Sequence, residues 1–266
     1  MSEHRETLLA QLGFRFGING PHAARTMMLD DMRALLAQTP PSASRAEYAA
    51  AIVTDNVLGK STKKARELAL RHLATLYGLD AGNAIFRALR RLWPPDEAAQ
   101  PLLALAAALA RDPLLRGTQD FVLAHPEGTN ITRDEFEEFL DRGHPDRFTA
   151  ASLKSFAQNV AGTWTASGVL VGHRRKVRAA PAACPEVMTL LLFLGYLQGR
   201  TGQRLFSSEW MSLLSSSPNE LEALANSASH RGLLVFMNAG GVKEVRFPGY
   251  LTPEEERIRL EVSHVV

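Results

Sequence analysis

A mainly α-helical fold is what the sequence predicts: an N-terminal helical bundle followed by two smaller units that each end in a short β-hairpin. Three observations carry this. Residues 1–125 repeat apolar side chains at helical spacing and show no alternating strand pattern. Hydrophobic residues make up 45% of the chain and charged residues 22%, the balance of a folded protein, and 266 residues are enough for a real core. A helix exit feeding a short apolar strand occurs twice, at Ser167-Gly168-Val169-Leu170-Val171 and at Arg231-Gly232-Leu233-Leu234-Val235.

Pro21–Ala37 reads as one helix. Ser44 caps the next, with Glu47 three residues on completing a capping box, and Tyr48, Ile52 and Val53 pointing inward. A third helix starts at Ser61, buries Ala65, Leu68, Ala69, Leu73 and Leu76, and stops at Gly78. Ala81–Trp93 ends at Pro94-Pro95, and Gln100–Ala110 and Pro113–Leu123 close the bundle. Thr132 caps Arg133–Leu140 with Glu135 in capping-box position. After the turn at Gly143–Asp146, Thr149 opens a helix whose buried stripe is Leu153, Phe156, Ala157, Val160 and Trp164, and the residues from Val169 to Arg178 read as a hairpin stopped by Pro181. Helix, turn, helix and basic hairpin is the order of the recognition half of a winged helix. Pro185–Gln198, Ser208–Leu214 and Pro218 to about Arg231 are further helices. A second hairpin turns at Asn238-Ala239-Gly240-Gly241, and Glu254–Val266 reads as a short amphipathic or frayed tail. The expected organisation is therefore a helical bundle over 1–125, a winged-helix-like unit with a basic hairpin over 126–182, and a second such unit with the tail over 183–266.

Charge is distributed unevenly. The chain is +2 overall, yet the 39 residues from Arg147 to Pro185 contain no acid and six cations: Arg147, Lys154, Arg174, Arg175, Lys176 and Arg178. A local field of this kind points to a polyanionic partner, most often nucleic acid. Arg174, Arg175, Lys176 and Arg178 fall on the hairpin, while Arg147 belongs to the loop before the helix. Lys154, Ser155 and Gln158 lie on the helix face opposite the apolar stripe. The second hairpin has only Lys243 and Arg246, partly offset by Glu244. A second basic stretch, 56–95, is also +6, with Lys60, Lys63, Lys64 and Arg71 at roughly helical spacing; Lys63, Lys64 and Arg71 are candidates to extend the contact. The block from Asp96 to Asp146 is −7, a surface suited to a protein partner.

The constellations of an enzyme do not come together in the sequence. The eight histidines are scattered singly, with no metal-ligand spacing, so no metal or cofactor is expected. Gly59-Lys60-Ser61 mimics the end of a phosphate-binding loop, but Thr54 stands where such a loop needs glycine. Ser215-Ser216-Ser217 reads as a linker, and the acids at Asp30-Asp31 and 134–138 as solvated helix faces. Cys184 is the one cysteine, which excludes an intramolecular disulfide and fits a reducing compartment; a small buried residue is the plain reading. Met1–Glu6 shows no secretory leader pattern. The apolar runs Pro101–Ala110 and Met188–Leu197 are ten residues each, against the roughly 20 needed to span a bilayer, and read as buried helices. A soluble, cytoplasmic, non-enzymatic binding protein is expected.

The run Tyr48-Ala-Ala-Ala-Ile-Val-Thr-Asp-Asn-Val-Leu-Gly-Lys-Ser61-Thr-Lys-Lys-Ala-Arg66 resembles the N-terminal signature of BrxA-like proteins of bacterial BREX phage-defence systems. Leu103–Phe121, with Asp112-Pro113-Leu114-Leu115, and Phe148–Leu170, with its Gly-Val-Leu exit, are similar to the same family in the same order. The resemblance spans about residues 45–180. It implies a small accessory component of a multi-protein antiviral defence system, with a helical N-terminal domain and DNA-binding character, and it supplies no catalytic residue. The leading expectation is a double-stranded DNA-binding protein, weakly sequence-specific and phosphate-dominated. The alternatives are an interaction scaffold within the same system, docking through the acidic 96–146 face, and a winged-helix transcription regulator. The last would be a dimer on a palindromic site.

Overall fold

The computed structural model describes residues 2–18, 20–94, 97–143 and 148–265. Arg147 and the end of the turn before Thr149 (144–146), like Asp96 at the start of the acidic block, lie outside these described residues. The structure is mainly helical with a few short antiparallel strands.

Helix α1 (Glu3–Gln11) is capped by Ser2, whose hydroxyl accepts the Arg5 N–H. The predicted helix over 21–37 is divided. A 3₁₀ turn at Pro21–Ala23 is followed by an irregular stretch, Met28 is left-handed (φ 53°), and α2 runs Leu29–Gln38. Tertiary hydrogen bonds override the local helical pattern here. Asp112 accepts both the backbone N–H and the ring Nδ1 of His22 at 2.8 Å, and Thr163 Oγ1 accepts the Met27 N–H at 2.8 Å. Helix α3 (Arg45–Val53) has the predicted Ser44–Glu47 capping box. Helix α4 (Lys63–Tyr77) is capped by Thr62, one residue beyond the expected Ser61, and ends at Gly78 with φ 100°. Asn83 caps α5 (Ala84–Leu92), and α6 (Gln100–Arg111) is buried on every side. The expected helix at 113–123 is two: α7 (Pro113–Arg116), capped by Asp112, and α8 (Gln119–Ala124). They part at Thr118, whose hydroxyl donates to the Leu115 carbonyl and accepts Trp164 Nε1–H at 2.9 Å.

Strand β1 (Asn130–Ile131) precedes α9 (Arg133–Gly143) and α10 (Ala150–Ala166), and the hairpin β2 (Leu170–Val171) and β3 (Lys176–Arg178) follows. The sheet order is β1-β3-β2, antiparallel throughout, with Asn130 opposite Val177 and Leu170 opposite Arg178. Helix α11 (Pro185–Leu197) is buried along almost its whole length and packs on α5 and α6. The two apolar runs read from the sequence are thus interior helices, and among the described residues no helix is long and apolar enough to cross a membrane. Helix α12 (Gln203–Phe206), a 3₁₀ turn at Glu209–Leu214 and α13 (Pro218–His230), with a Ser217–Glu220 capping box, lead to β4 (Val235–Ala239) and β5 (Val242–Arg246). The two strands join at Gly240-Gly241, both with positive φ, as a two-residue hairpin turn requires.

The last segment is α14 (Pro253–His264), not a frayed tail: Thr252 and Glu255 form a capping box, and the helix packs on α1 and α11. Glu255 is buried against Arg87 (2.5 Å), and Arg259 lies 4.2 Å over the Tyr196 ring. These contacts merge the 1–125 and 183–266 regions. One apolar cluster runs from Leu8 to Val262, so the three sequence-derived units do not hold three separate cores.

Candidate nucleic-acid interface

Helix α10 has its rotation set by polar contacts on its inner face. Thr149 caps it through Ser152 N–H. Trp164 is fully buried and bonded to Thr118, Asn159 donates to the His22 carbonyl at 3.0 Å, and Thr163 Oγ1 is 2.7 Å from His22 Nε2. Thr163 Oγ1 thus bridges the His22 ring and the Met27 N–H, while Asp112 holds the ring from its Nδ1 side. Every polar atom of this buried Asp112–His22–Thr163 group has a partner, and its role is to lock the 21–28 segment, α7 and α10 together. Burial opposes ionisation of Asp112, but the hydrogen bonds from His22 and the Leu115 N–H outweigh it and hold the carboxyl below the usual aspartate range. Nothing in the sequence pattern links these three positions. Once α10 is locked, the predicted face of Lys154, Ser155 and Gln158 is exposed.

The hairpin extends from the end of α10. Gly168 (φ 82°) ends the helix, and Val169 and Leu170 bury themselves in the core. Gly172 has φ 98°, and a Cβ there would sit 2.1 Å from the Arg175 carbonyl oxygen, so only glycine permits this turn. Arg174 and Arg175 are exposed and, among the described residues, neither pairs with a carboxylate. Lys176 is half-buried; its ammonium donates to the Gly172 carbonyl at 3.3 Å, and burial lowers its pKa. Val171, on the same hairpin, is 48% exposed.

Arg178 does not join this surface. It is 4% exposed, donates to the carbonyls of Val169 (3.4 Å) and Ala179, and reaches Ser215 Oγ at 3.0 Å. Its guanidinium ties the hairpin to the 3₁₀ turn before α13, and burial lowers its pKa. The sequence expectation that Arg178 grips phosphate is therefore corrected: the Val169 and Ala179 carbonyls and Ser215 hold its buried guanidinium.

Lys63, Lys64 and Arg71 are exposed, but they do not continue the α10 face either. The side of α4 turned to α10 carries Ala65 and Ala69, which face Gly162 and Ala166 across a cleft of about 490 Å³. At about 100° per residue, the three cations lie well round the helix from that side. Lys60, at the head of α4, is paired with Asp31 at 2.6 Å. The acidic block is also reduced in reach, because Asp112 is buried; its exposed acids on α9 are Asp134, Glu135, Glu138 and Asp141.

The second hairpin has its cations neutralised. Lys243 is 2.6 Å from Glu222 and 4.6 Å from the Phe206 ring centre, and Arg246 is 2.5 Å from Glu244. Cys184 is half-buried, and burial raises its thiol pKa, the opposite of an activated nucleophile. Among the described residues no group of three or more His, Cys, Asp or Glu is arranged to hold a metal ion. No protein-family model matches the chain, and no curated protein matches it.

Proposed function

We propose that the chain binds double-stranded DNA through α10 and the β2–β3 hairpin, acting as a winged-helix unit. The observation that carries this reading is the contrast between the hairpins: among the described residues Arg174 and Arg175 stand exposed without carboxylate partners, while the cations of the second hairpin are paired. Exposed cations without a paired carboxylate are the groups that phosphates neutralise. The connectivity supports it too. A short strand, two helices in sequence and a hairpin whose second strand pairs with the first is the order of a winged helix, with α10 as the helix presented to the groove.

In this reading Arg174, Arg175 and Lys176 meet the backbone, and Lys154, Ser155 and Gln158 line the helix. The cations are concentrated on the hairpin, where they meet phosphates, and the helix face offers only Lys154 and Gln158 for base edges, so affinity is weakly sequence-specific and strongly salt-dependent. The second helix-and-hairpin unit serves the fold, since its cations are used internally. A role as a non-enzymatic accessory component of a BREX-type phage-defence system extends this proposal on the strength of the sequence resemblance alone. The exposed acids of α9 favour a second reading, docking to another protein by that face. A gel shift of Arg174→Glu/Arg175→Glu/Lys176→Glu tests the main one: loss of the shift with unchanged helical circular dichroism is expected, and an unchanged shift sinks it.

A further inference from the structure

On the side of helix α4 away from α10 lies a cleft bounded by the segment after α1, the start of α3 and α4 itself. Arg15, Arg45, Arg71 and Arg111 line this cleft, whose volume is about 530 Å³. Glu67 is the one acid among the described lining residues, and it lies 3.9 Å from Lys63. Among the described residues, none of the four guanidiniums pairs with a carboxylate. Arg15 and Arg111 both donate to the Thr75 carbonyl at 3.3 Å, which brings two like charges together near the C-terminal end of α4. Arg111 is 7% exposed and its Nε has no partner; burial first, and then Arg15, push its pKa down to about 10. Arg111 donates to the Gly13 and Thr75 carbonyls, but a buried charge is normally offset by an opposite charge, and among the described residues no carboxylate pairs with it.

Thr75 and Gly78 also line the cleft, and Ala49, Leu70, Ala74 and Leu79 form an apolar wall beside the arginines. A cleft of this volume, with an apolar wall and convergent cations, has the size and character of a small-molecule site. Guanidinium is the side chain best matched to phosphate oxygens. We propose that this cleft binds a small polyphosphate ligand of nucleotide size, with Arg15, Arg45 and Arg71 on the phosphates and the apolar wall against the remainder of the molecule. Four positive charges against one negative call for a multiply charged anion rather than a single carboxylate. The site is independent of the proposed duplex surface, because α4 turns its opposite side to α10.

Arg45 and Arg71 are exposed and, among the described residues, make no hydrogen bond, so their removal leaves the fold intact. Calorimetric titration of the full chain with inorganic triphosphate and with ATP, at about 150 mM salt, compares the protein with Arg45→Ala/Arg71→Ala. Saturable binding of both probes is expected, tighter for ATP, and weaker in the variant by on the order of a hundredfold, the loss of two charged hydrogen bonds. Absence of saturable binding, or equal binding by the variant, overturns the proposal, and equal affinity for the two probes overturns the part assigned to the wall. Duplex affinity stays unchanged in the variant. A fall in duplex affinity with no triphosphate binding overturns the proposal in favour of a second duplex contact.

Discussion

Replacing Arg174 and Arg175 with alanine removes two charges from the hairpin tip without touching the core, because both side chains are exposed and, among the described residues, unpaired. Each phosphate neutralised on B-form DNA adds about 0.9 to the slope of log affinity against log salt concentration. If Lys154, Arg174, Arg175 and Lys176 each meet one phosphate, the slope is about −3.6, and the double variant brings it to about −1.8. Between about 50 and 200 mM salt the unmodified protein then loses affinity by roughly 150-fold and the variant by roughly 12-fold. Fluorescence anisotropy with a labelled duplex of random sequence, titrated at four or more salt concentrations, reads both slopes directly. A variant that keeps its helical circular dichroism and the parental slope refutes the reasoning, because the hairpin cations would then make no phosphate contact.

Other parts of the structure make independent predictions. Arg178→Ala lowers urea stability by about 2–3 kcal/mol, the cost of leaving buried acceptors unpaired, and leaves the salt slope unchanged; a changed slope returns Arg178 to the contact surface. Thr163→Val strands the Met27 N–H and His22 Nε2 and costs about 3 kcal/mol in the same assay, whereas a loss under about 1 kcal/mol contradicts the locking role of this group. Asp112 has its pKa lowered in the folded state, so its stabilising contribution is complete above the unfolded aspartate value of about 3.9 and is lost as pH falls through the lower folded value. Urea melts from neutral pH into the acid range therefore show a steeper loss of stability for the parent than for Asp112→Asn, and parallel curves contradict the assignment.

Local signals in the sequence were the dependable ones. The Ser44–Glu47 box, the stop at Gly78, the Thr149 cap and the Gly240-Gly241 turn each involve residues a few positions apart, and the structure keeps all four. The misses come from contacts between distant segments. The pattern from Pro21 to Ala37 suits a helix, but Asp112 and Thr163 hold His22 and Met27 in a non-helical path. Strand β1 is two residues long, too short to show a period. Helix α14 carried a readable Thr252–Glu255 box, yet its run of three acids masked the few residues it buries.

The candidate site was legible to the same degree. Its exposed helix face follows from periodicity, and its hairpin from the exit at Gly168. A charge run, however, says nothing of which cation the fold covers. Arg178 and Lys176 lie two apart on one strand, and the Val169 and Ala179 carbonyls together with the arrival of Ser215 make Arg178 a structural residue. Likewise the spacing of Lys63, Lys64 and Arg71 on α4 was readable, but which side of that helix α10 packs near was not.

The central claim is that the chain binds duplex DNA through phosphate contacts. The most direct measurement is anisotropy of a random-sequence duplex titrated with the unmodified protein across a salt series starting at about 50 mM. The account predicts saturable binding at the lowest salt that weakens linearly on log–log axes, with a slope near −3.6. Absence of binding at the lowest salt contradicts it.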